Sequence, residues 1–259
     1  KAIARALGVI GLVNVQFAIR GTVVHVLEVN PRASRTVPFV SKTIGVPLAK
    51  IATRVMLGHR LTPWLGLEER ALGHIAVKEA VLPFVKFRGV DTVLGPEMKS
   101  TGEVMGIDYD LRSAYLKSQL ALGSRLPTSG AVLISAPTAG QRLILTLASR
   151  LTEIGFSVVA PPDTARKIER YGVGVRTFRM DPLQDGVAQL AEAGIGLVID
   201  IAEAGRGRRA SRWIREAAVR AGVPYCTTID GAQMLLAALE TLLKHQPAVL
   251  SLQEYHAAG

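Results

Sequence analysis

The 259-residue sequence has one cysteine, Cys226, so no internal disulfide can form and no cysteine-rich zinc site can be built. It has few histidines, and His25, His59, His74, His245 and His256 fall at no spacing that metal ligation uses. Aromatic residues are 5% of the chain, too few for the stacking platforms that hold single-stranded nucleic acid. No apolar run approaches the roughly 18 residues that cross a bilayer, which excludes a membrane helix. The opening Lys1-Ala2-Ile3-Ala4-Arg5-Ala6-Leu7 lacks the marks of an export signal. It reads as the end of an amphipathic helix already under way, so the expectation is a cytoplasmic piece of a longer polypeptide.

Apolar residues make up 49% and the net charge is +10, a globular composition with a basic bias. The length leans towards two domains. Residues 1–126 carry 17 Lys/Arg against 9 Asp/Glu, and residues 127–259 carry 14 against 12. A basic first half suits an anionic ligand, nucleotide phosphate or nucleic acid. Bases interspersed with acids, and the shortage of aromatics, weigh against nucleic acid. The one dense basic cluster, Arg206, Arg208, Arg209, Arg212 and Arg215, reads as a solvated loop and first helical turn. Gly205-Arg206-Gly207 is too short for a dinucleotide fingerprint.

The segment Leu27-Glu28-Val29-Asn30-Pro31-Arg32-Ala33-Ser34-Arg35-Thr36 places a carboxylate, a carboxamide and two guanidiniums close together. Glu28 and Asn30 offer the oxygen ligands a hard divalent cation takes, and Arg32 and Arg35 can meet phosphoryl oxygens in bidentate fashion. Gly11 to Arg20 and Thr22 to Asn30 read as a hairpin turning at Gly21. Register then decides the chemistry. A two-residue turn would face Gln16 away from Glu28; only an odd-numbered loop, such as Arg20-Gly21-Thr22, puts both on one face, and His25 lies on the face opposite Glu28. Asn30 shares the Glu28 face, and Pro31 leaves Arg32 and Arg35 on a loop.

Pro47 opens a scaffold helix with Leu48, Ile51, Ala52, Val55 and Met56 on one face, ended by Gly58. Ile75 to Leu82 reads as a strand whose acid, Glu79, stands next to Lys78 as a rim ion pair. After the linker Leu126-Pro127-Thr128-Ser129-Gly130, short apolar runs at 131–135, 156–160, 173–178, 195–201 and 224–227 alternate with amphipathic helices at about 140–154, 163–171, 183–193, 208–221 and 231–243. That alternation predicts a parallel sheet with helices on both faces, and ligands beyond the strand ends near Ser135, Ala160, Asp200 and Thr227. Cys226 reads as a small buried residue rather than a nucleophile.

The runs GLVNVQFAI, LEVNPRASRTVPFVSKTIGVPLAKIATRVMLG, VKEAVLPFVKFRGVD and LGPEMKSTGEVMGID resemble the end of the second ATP-grasp half in the large subunit of carbamoyl-phosphate synthetases. The resemblance implies an α/β protein: residues 1–126 as the C-terminal part of an ATP-grasp domain with a helical linker, and residues 127–259 as a Rossmann-like, methylglyoxal-synthase-like regulatory domain. It implies ATP as cosubstrate, with Gln16 and Glu28 on one magnesium or manganese ion and Asn30 joining Glu28 on a second. Arg32 and Arg35 would neutralise the transferring phosphoryl group as carbamate becomes carbamoyl phosphate, for pyrimidine or arginine synthesis. Implied partners are the remainder of the large subunit and a glutaminase small subunit, and the chain alone would be inactive.

In the second half the resemblance rests on Gly155-Phe156, Ser211-Arg212, Ile214-Arg215, Tyr225, Thr227-Thr228 and Gln253-Glu254. It implies an ornithine-type effector held by Glu79, Tyr225 and Thr227. The family's nucleotide-effector turn is replaced by Pro161-Pro162-Asp163-Thr164, a supporting lysine by Gln141, and a later amide-hydroxyl run by Asp200-Ile201-Ala202. Asp163 and Asp200 are therefore expected to repel a phosphate, leaving nucleotide regulation weak or absent. A ligand-free interaction domain would instead show a strand-end crevice filled with apolar side chains. An active methylglyoxal synthase is disfavoured because its phosphate turn and paired aspartates are not recognisable.

Overall fold

The structure is a computed structural model that describes residues 1–62, 71–86, 90–95, 97–136, 141–181, 183–201 and 211–257. The elements run α1 (Ala2–Ala6), β1 (Asn14–Arg20), β2 (Val23–Asn30), α2 (Thr36–Ile44), α3 (Leu48–Met56), β3 (Ile75–Val81), β4 (Gly102–Asp108), α4 (Leu111–Ala121), β5 (Ala131–Ser135), α5 (Gln141–Glu153), β6 (Ser157–Ala160), α6 (Pro162–Glu169), β7 (Arg176–Thr177), α7 (Gly186–Glu192), β8 (Ile195–Asp200), α8 (Arg212–Ala221), β9 (Tyr225–Cys226), α9 (Ile229–Lys244) and α10 (Leu252–Ala257). They divide into two compact units, Lys1–Ala76 with Val249–Gly259, and Val77–Ala248. The expected boundary at 126/127 thus falls within the second unit.

In the first unit β1 and β2 pair antiparallel. Gly21 has φ +61° and no non-glycine residue among those described, Thr22 included, has positive φ, the order of signs a two-residue type II′ loop needs. Helix α3 forms as its periodicity predicts, from Pro47, with Ile51 and Ala52 buried. Helix α2 was not anticipated, because Val37, Pro38 and Val40 look more like strand or loop. It ends at Gly45, φ +70°, and its last carbonyls meet two histidines from far along the chain. Nε2 of His74 lies 2.8 Å from the Thr43 carbonyl, and Nε2 of His256, on α10, 2.8 Å from that of Lys42. Backbone acceptors left open by the helix end are satisfied this way. A Cβ on Gly45 would stand 3.0 Å from His256 Nδ1.

In the second unit β3 pairs with β4, and α4 lies directly on β4. A Cβ on Gly106 would come within 1.9 Å of the Ala114 carbonyl oxygen, so only glycine permits that approach. Asp110 caps α4, its carboxylate accepting the N–H of Arg112 and Ser113, both at 3.0 Å. The remaining strands form one parallel sheet in the order β7-β6-β5-β8-β9. Alternation along the strands divides the core. Val132, Ile134, Leu197 and Ile199 pack with α5, α6 and α9, and Leu133, Val159 and Val198 with Leu190 of α7 and Ile214 of α8. Buried Glu240 on α9 accepts from Arg112 of α4 and Arg150 of α5, joining three helices at one carboxylate. No helix among the described residues is long and apolar enough to cross a membrane.

Candidate functional site

Gln16 stands directly opposite Glu28, and Asn14 opposite Asn30. The loop holds only Gly21 and Thr22, so an unbroken ladder would have set Gln16 against Leu27. A β-bulge corrects the register. Between Gln16↔Glu28 and Phe17↔Val26 the register slips by one, which leaves Leu27 unpaired and returns Glu28 to the Gln16 face. The expectation of an odd-numbered loop is thus overturned while its consequence stands. His25 pairs with Ala18, two residues from Gln16, so it shares the Gln16–Glu28 side rather than the opposite one.

Asn30 Nδ2 donates to Glu28 Oε1 at 2.8 Å, which fixes the amide so that its oxygen stays available beside the carboxylate. Glu28, Gln16 and Asn30 together present carboxylate and amide oxygens, the donor chemistry hard divalent cations take. Arg32 lies on the loop, its Nη1 donating to the Ala33 carbonyl at 3.1 Å. Arg35, expected on the loop, stands at its end as the N-cap residue of α2. Around these groups the hairpin exposes apolar surface: Ile19 is 72%, Leu27 64% and Val24 57% accessible.

The second grouping lies wholly within the second unit. Lys78 does not pair with Glu79; it reaches Glu103 at 3.4 Å, since neighbours on a strand point to opposite faces. Glu79 turns to α4, where Ser118 Oγ donates to it at 2.5 Å and Gln119 Nε2 at 2.7 Å. Burial pushes the Glu79 carboxyl above its ordinary range, and these two bonds oppose the rise. Glu79 lines a cleft of about 620 Å³ with Tyr115, Gln119, Tyr225, Cys226 and Thr227. Burial pushes the Tyr225 hydroxyl up to about 12 and raises the Cys226 thiol, so both stay neutral. Cys226 Sγ donates to the Thr228 carbonyl at 3.2 Å, consistent with a packing role. The sequence missed Ser118 and Gln119; their only signal was a polar pair on the helix following a short strand.

At the end of β8, Asp200 is ion-paired with Arg215 of α8, and both are fully buried. Arg215 also meets Asp91 twice, Nη2 to Oδ2 at 2.8 Å and Nε to Oδ1 at 3.0 Å. The basic-cluster reading therefore fails for Arg215, which is interior. Arg206, Arg208, Arg209 and Ala202 lie outside the described residues. Asp163 pairs with Arg166, so neither carboxylate expected to repel a phosphate stands unpaired. Thr164 Oγ1 accepts the N–H of Ala136 at 3.2 Å, between β5 and α6. Among the described residues no group of three His, Cys, Asp or Glu could hold a metal, and the hairpin's candidate ligands include two amides.

Residues 1–63 match the family described as "Carbamoyl-phosphate synthase L chain, ATP binding domain", and residues 143–227 the "MGS-like domain". Across 99% of its length the chain is 45% identical to a carbamoyl phosphate synthase large chain of Archaeoglobus fulgidus. It is homologous to the C-terminal section of these large chains. A large chain of Methanospirillum hungatei is 46% identical over 98% of this chain. In Methanocaldococcus jannaschii the protein named "Carbamoyl phosphate synthase large chain, C-terminal section" is 40% identical over 98%. The chain spans 24% of the first two relatives and 43% of the third.

Proposed function

We propose that this chain contributes to an ATP-dependent carbamoyl phosphate synthase, with residues 1–126 finishing an ATP-grasp phosphoryl-transfer site and residues 127–259 forming a cytoplasmic enzyme's regulatory domain. The observation that carries this reading is the bulged register that brings Gln16, Glu28 and Asn30 to one side of an open hairpin. Magnesium or manganese bound there would supply charge neutralisation to the phosphates of ATP. Glu28 and Asn30 offer adjacent oxygens, Gln16 faces them across the ladder, and Arg32 and Arg35 stand next in the chain to hold the phosphoryl oxygens. The proposed reaction is phosphorylation of carbamate, formed from bicarbonate and ammonia that a glutaminase subunit supplies.

The exposed apolar hairpin and the limited span of the relatives support a second part of the reading: the rest of the ATP-grasp fold must be supplied for turnover. The two family matches fall on either side of residue 126, which supports that functional boundary. For the effector, Glu79, Tyr225 and Thr227 border one open cleft within a single unit, apolar over most of its lining but carrying a carboxylate and several hydroxyls, which favours an ornithine-type ligand over a ligand-free interaction domain. Weak nucleotide regulation is supported by the filled end of β8 and by the engaged Thr164 hydroxyl.

The test is complementation of this chain with the preceding portion of a homologous large chain, assayed for ATP-dependent carbamoyl phosphate formation. Glu28→Gln is expected to lower kcat by roughly 100-fold or more, the scale of losing one charge-stabilising group. Activity unchanged by Glu28→Gln would rule out the metal assignment. Turnover by the 259 residues alone would rule out the need for the missing portion.

A further inference from the structure

The end of α2 gathers two histidines, both within the first unit. Their Nε2 atoms meet the carbonyls of Thr43 and Lys42 at 2.8 Å. A carbonyl only accepts, so in each ring Nε2 carries the hydrogen and Nδ1 keeps a lone pair. An imidazole bound to a metal is commonly fixed in this way, its other nitrogen donating to a backbone carbonyl. His74 is 6% accessible, and its Nδ1 is buried without a hydrogen-bond partner, a cost that a bound ligand would offset. Over His256 lies Gly45: a Cβ there would stand 3.0 Å from Nδ1 and 3.1 Å from both Cγ and Cε1. Such near-equal distances put the glycine above the ring's face, clear of the in-plane lone pair. The spacing suits a shared ion. The two ring centroids are 5.8 Å apart, with planes inclined at 51°. With nitrogen–metal bonds of about 2.0–2.1 Å, two rings on one ion have centroids roughly 5.2 Å apart at a tetrahedral angle and about 6.4 Å apart when opposed. Tyr255, 1% accessible, packs edge-on against the His74 ring at 60° and restricts its orientation.

We propose that His74 and His256 bind one divalent transition ion of the zinc class through their Nδ1 atoms, at a structural site distinct from the oxygen ligands of the hairpin. Imidazole nitrogen suits zinc, nickel and copper, whereas magnesium takes oxygen. Among the described residues no third His, Cys, Asp or Glu joins the pair, so water completes the shell from the side where His256 is only half-buried. The ion ties α10 directly to the chain ahead of β3, a link that the two carbonyl bonds do not make.

The test is titration calorimetry of the whole chain with zinc, magnesium being held in excess to occupy oxygen sites, in the parent, His74→Gln and His256→Gln. Glutamine keeps an N–H donor for the carbonyl but has no imidazole lone pair, so the metal ligand is removed with little disturbance of the helix end. Expected are one zinc ion per chain in the parent, a higher unfolding temperature when zinc is present, and at least tenfold weaker binding in either variant. Should His74→Gln fail to fold, His256→Gln, at the more open ring, decides alone. Absence of zinc binding in the parent overturns the proposal. Binding indifferent to both substitutions overturns it too and places the ion on other histidines or on the hairpin. Binding lost in only one of two folded variants also overturns it, since a single ring would then be acting alone.

Discussion

On the β1–β2 hairpin the chemistry-bearing side chains face solvent and are ordered by backbone register, whereas in the Glu79 cleft each is held by a second side chain. Glu28 has Asn30 beside it and little else, and its exposure keeps its removal cheap for the fold. Glu79 has Ser118 and Gln119, and behind the cleft the Arg215–Asp200 pair is interior, with partly exposed Asp91 on its other side. A site of the first kind can be altered without unfolding its unit; at the second, function and stability are linked.

That contrast can be broken. Arg215→Ala leaves the buried Asp200 carboxylate, and partly exposed Asp91 beside it, without their cation, and should cost about 3–5 kcal/mol, read from the urea midpoint of the second unit's transition. Gly106→Ala comes next. The added methyl meets the Ala114 carbonyl oxygen at 1.9 Å, and an overpacking cost of about 1–3 kcal/mol is expected. Because α4 carries Ser118 and Gln119, ornithine binding should weaken in the same variant. Glu28→Gln, by contrast, should move stability by less than about 0.5 kcal/mol. A loss matching that of Arg215→Ala would erase the distinction.

The smallest effect concerns pH and has two opposite signs. Folding raises the Glu79 carboxyl above its ordinary value of 4.5, so the folded state holds this proton more tightly than the unfolded one. Its contribution to stability is full below the ordinary value and is lost as pH rises through the folded value. Ornithine binding needs the carboxylate and should run the other way, weakening as pH falls through that range. Thermal unfolding and calorimetry between pH 4 and 7 (a window of roughly that width covers a raised carboxyl) should therefore diverge in the parent and lose their Glu79 component in Glu79→Gln. Parallel trends would show that Glu79 does not receive the ligand's charge.

The hairpin and the parallel sheet were legible because period-two alternation and strand–helix alternation are local patterns. The bulge was not: nothing distinguishes Leu27 from its neighbours, and its role is defined by the partner strand. Glu79 was seen but paired wrongly with Lys78, since adjacency in sequence suggests contact while a strand turns successive side chains apart. Its true partners come 39 and 40 positions later. Arg215 was placed in a solvated cluster because a run of arginines usually is one, and only tertiary packing reveals the two carboxylates that draw it inside.

Helix α10 belongs to the first unit although the whole of the second unit precedes it in the chain. Residues 77–248 are thus a loop of chain with both its ends tied to the same body. Tension applied between residues 1 and 259 would load the first unit, where α10 is fastened to α2 by His256, and the second would feel no force until that fastening gave way. In an optical-tweezers trace the hairpin unit should therefore yield first, with the parallel-sheet unit shielded behind it.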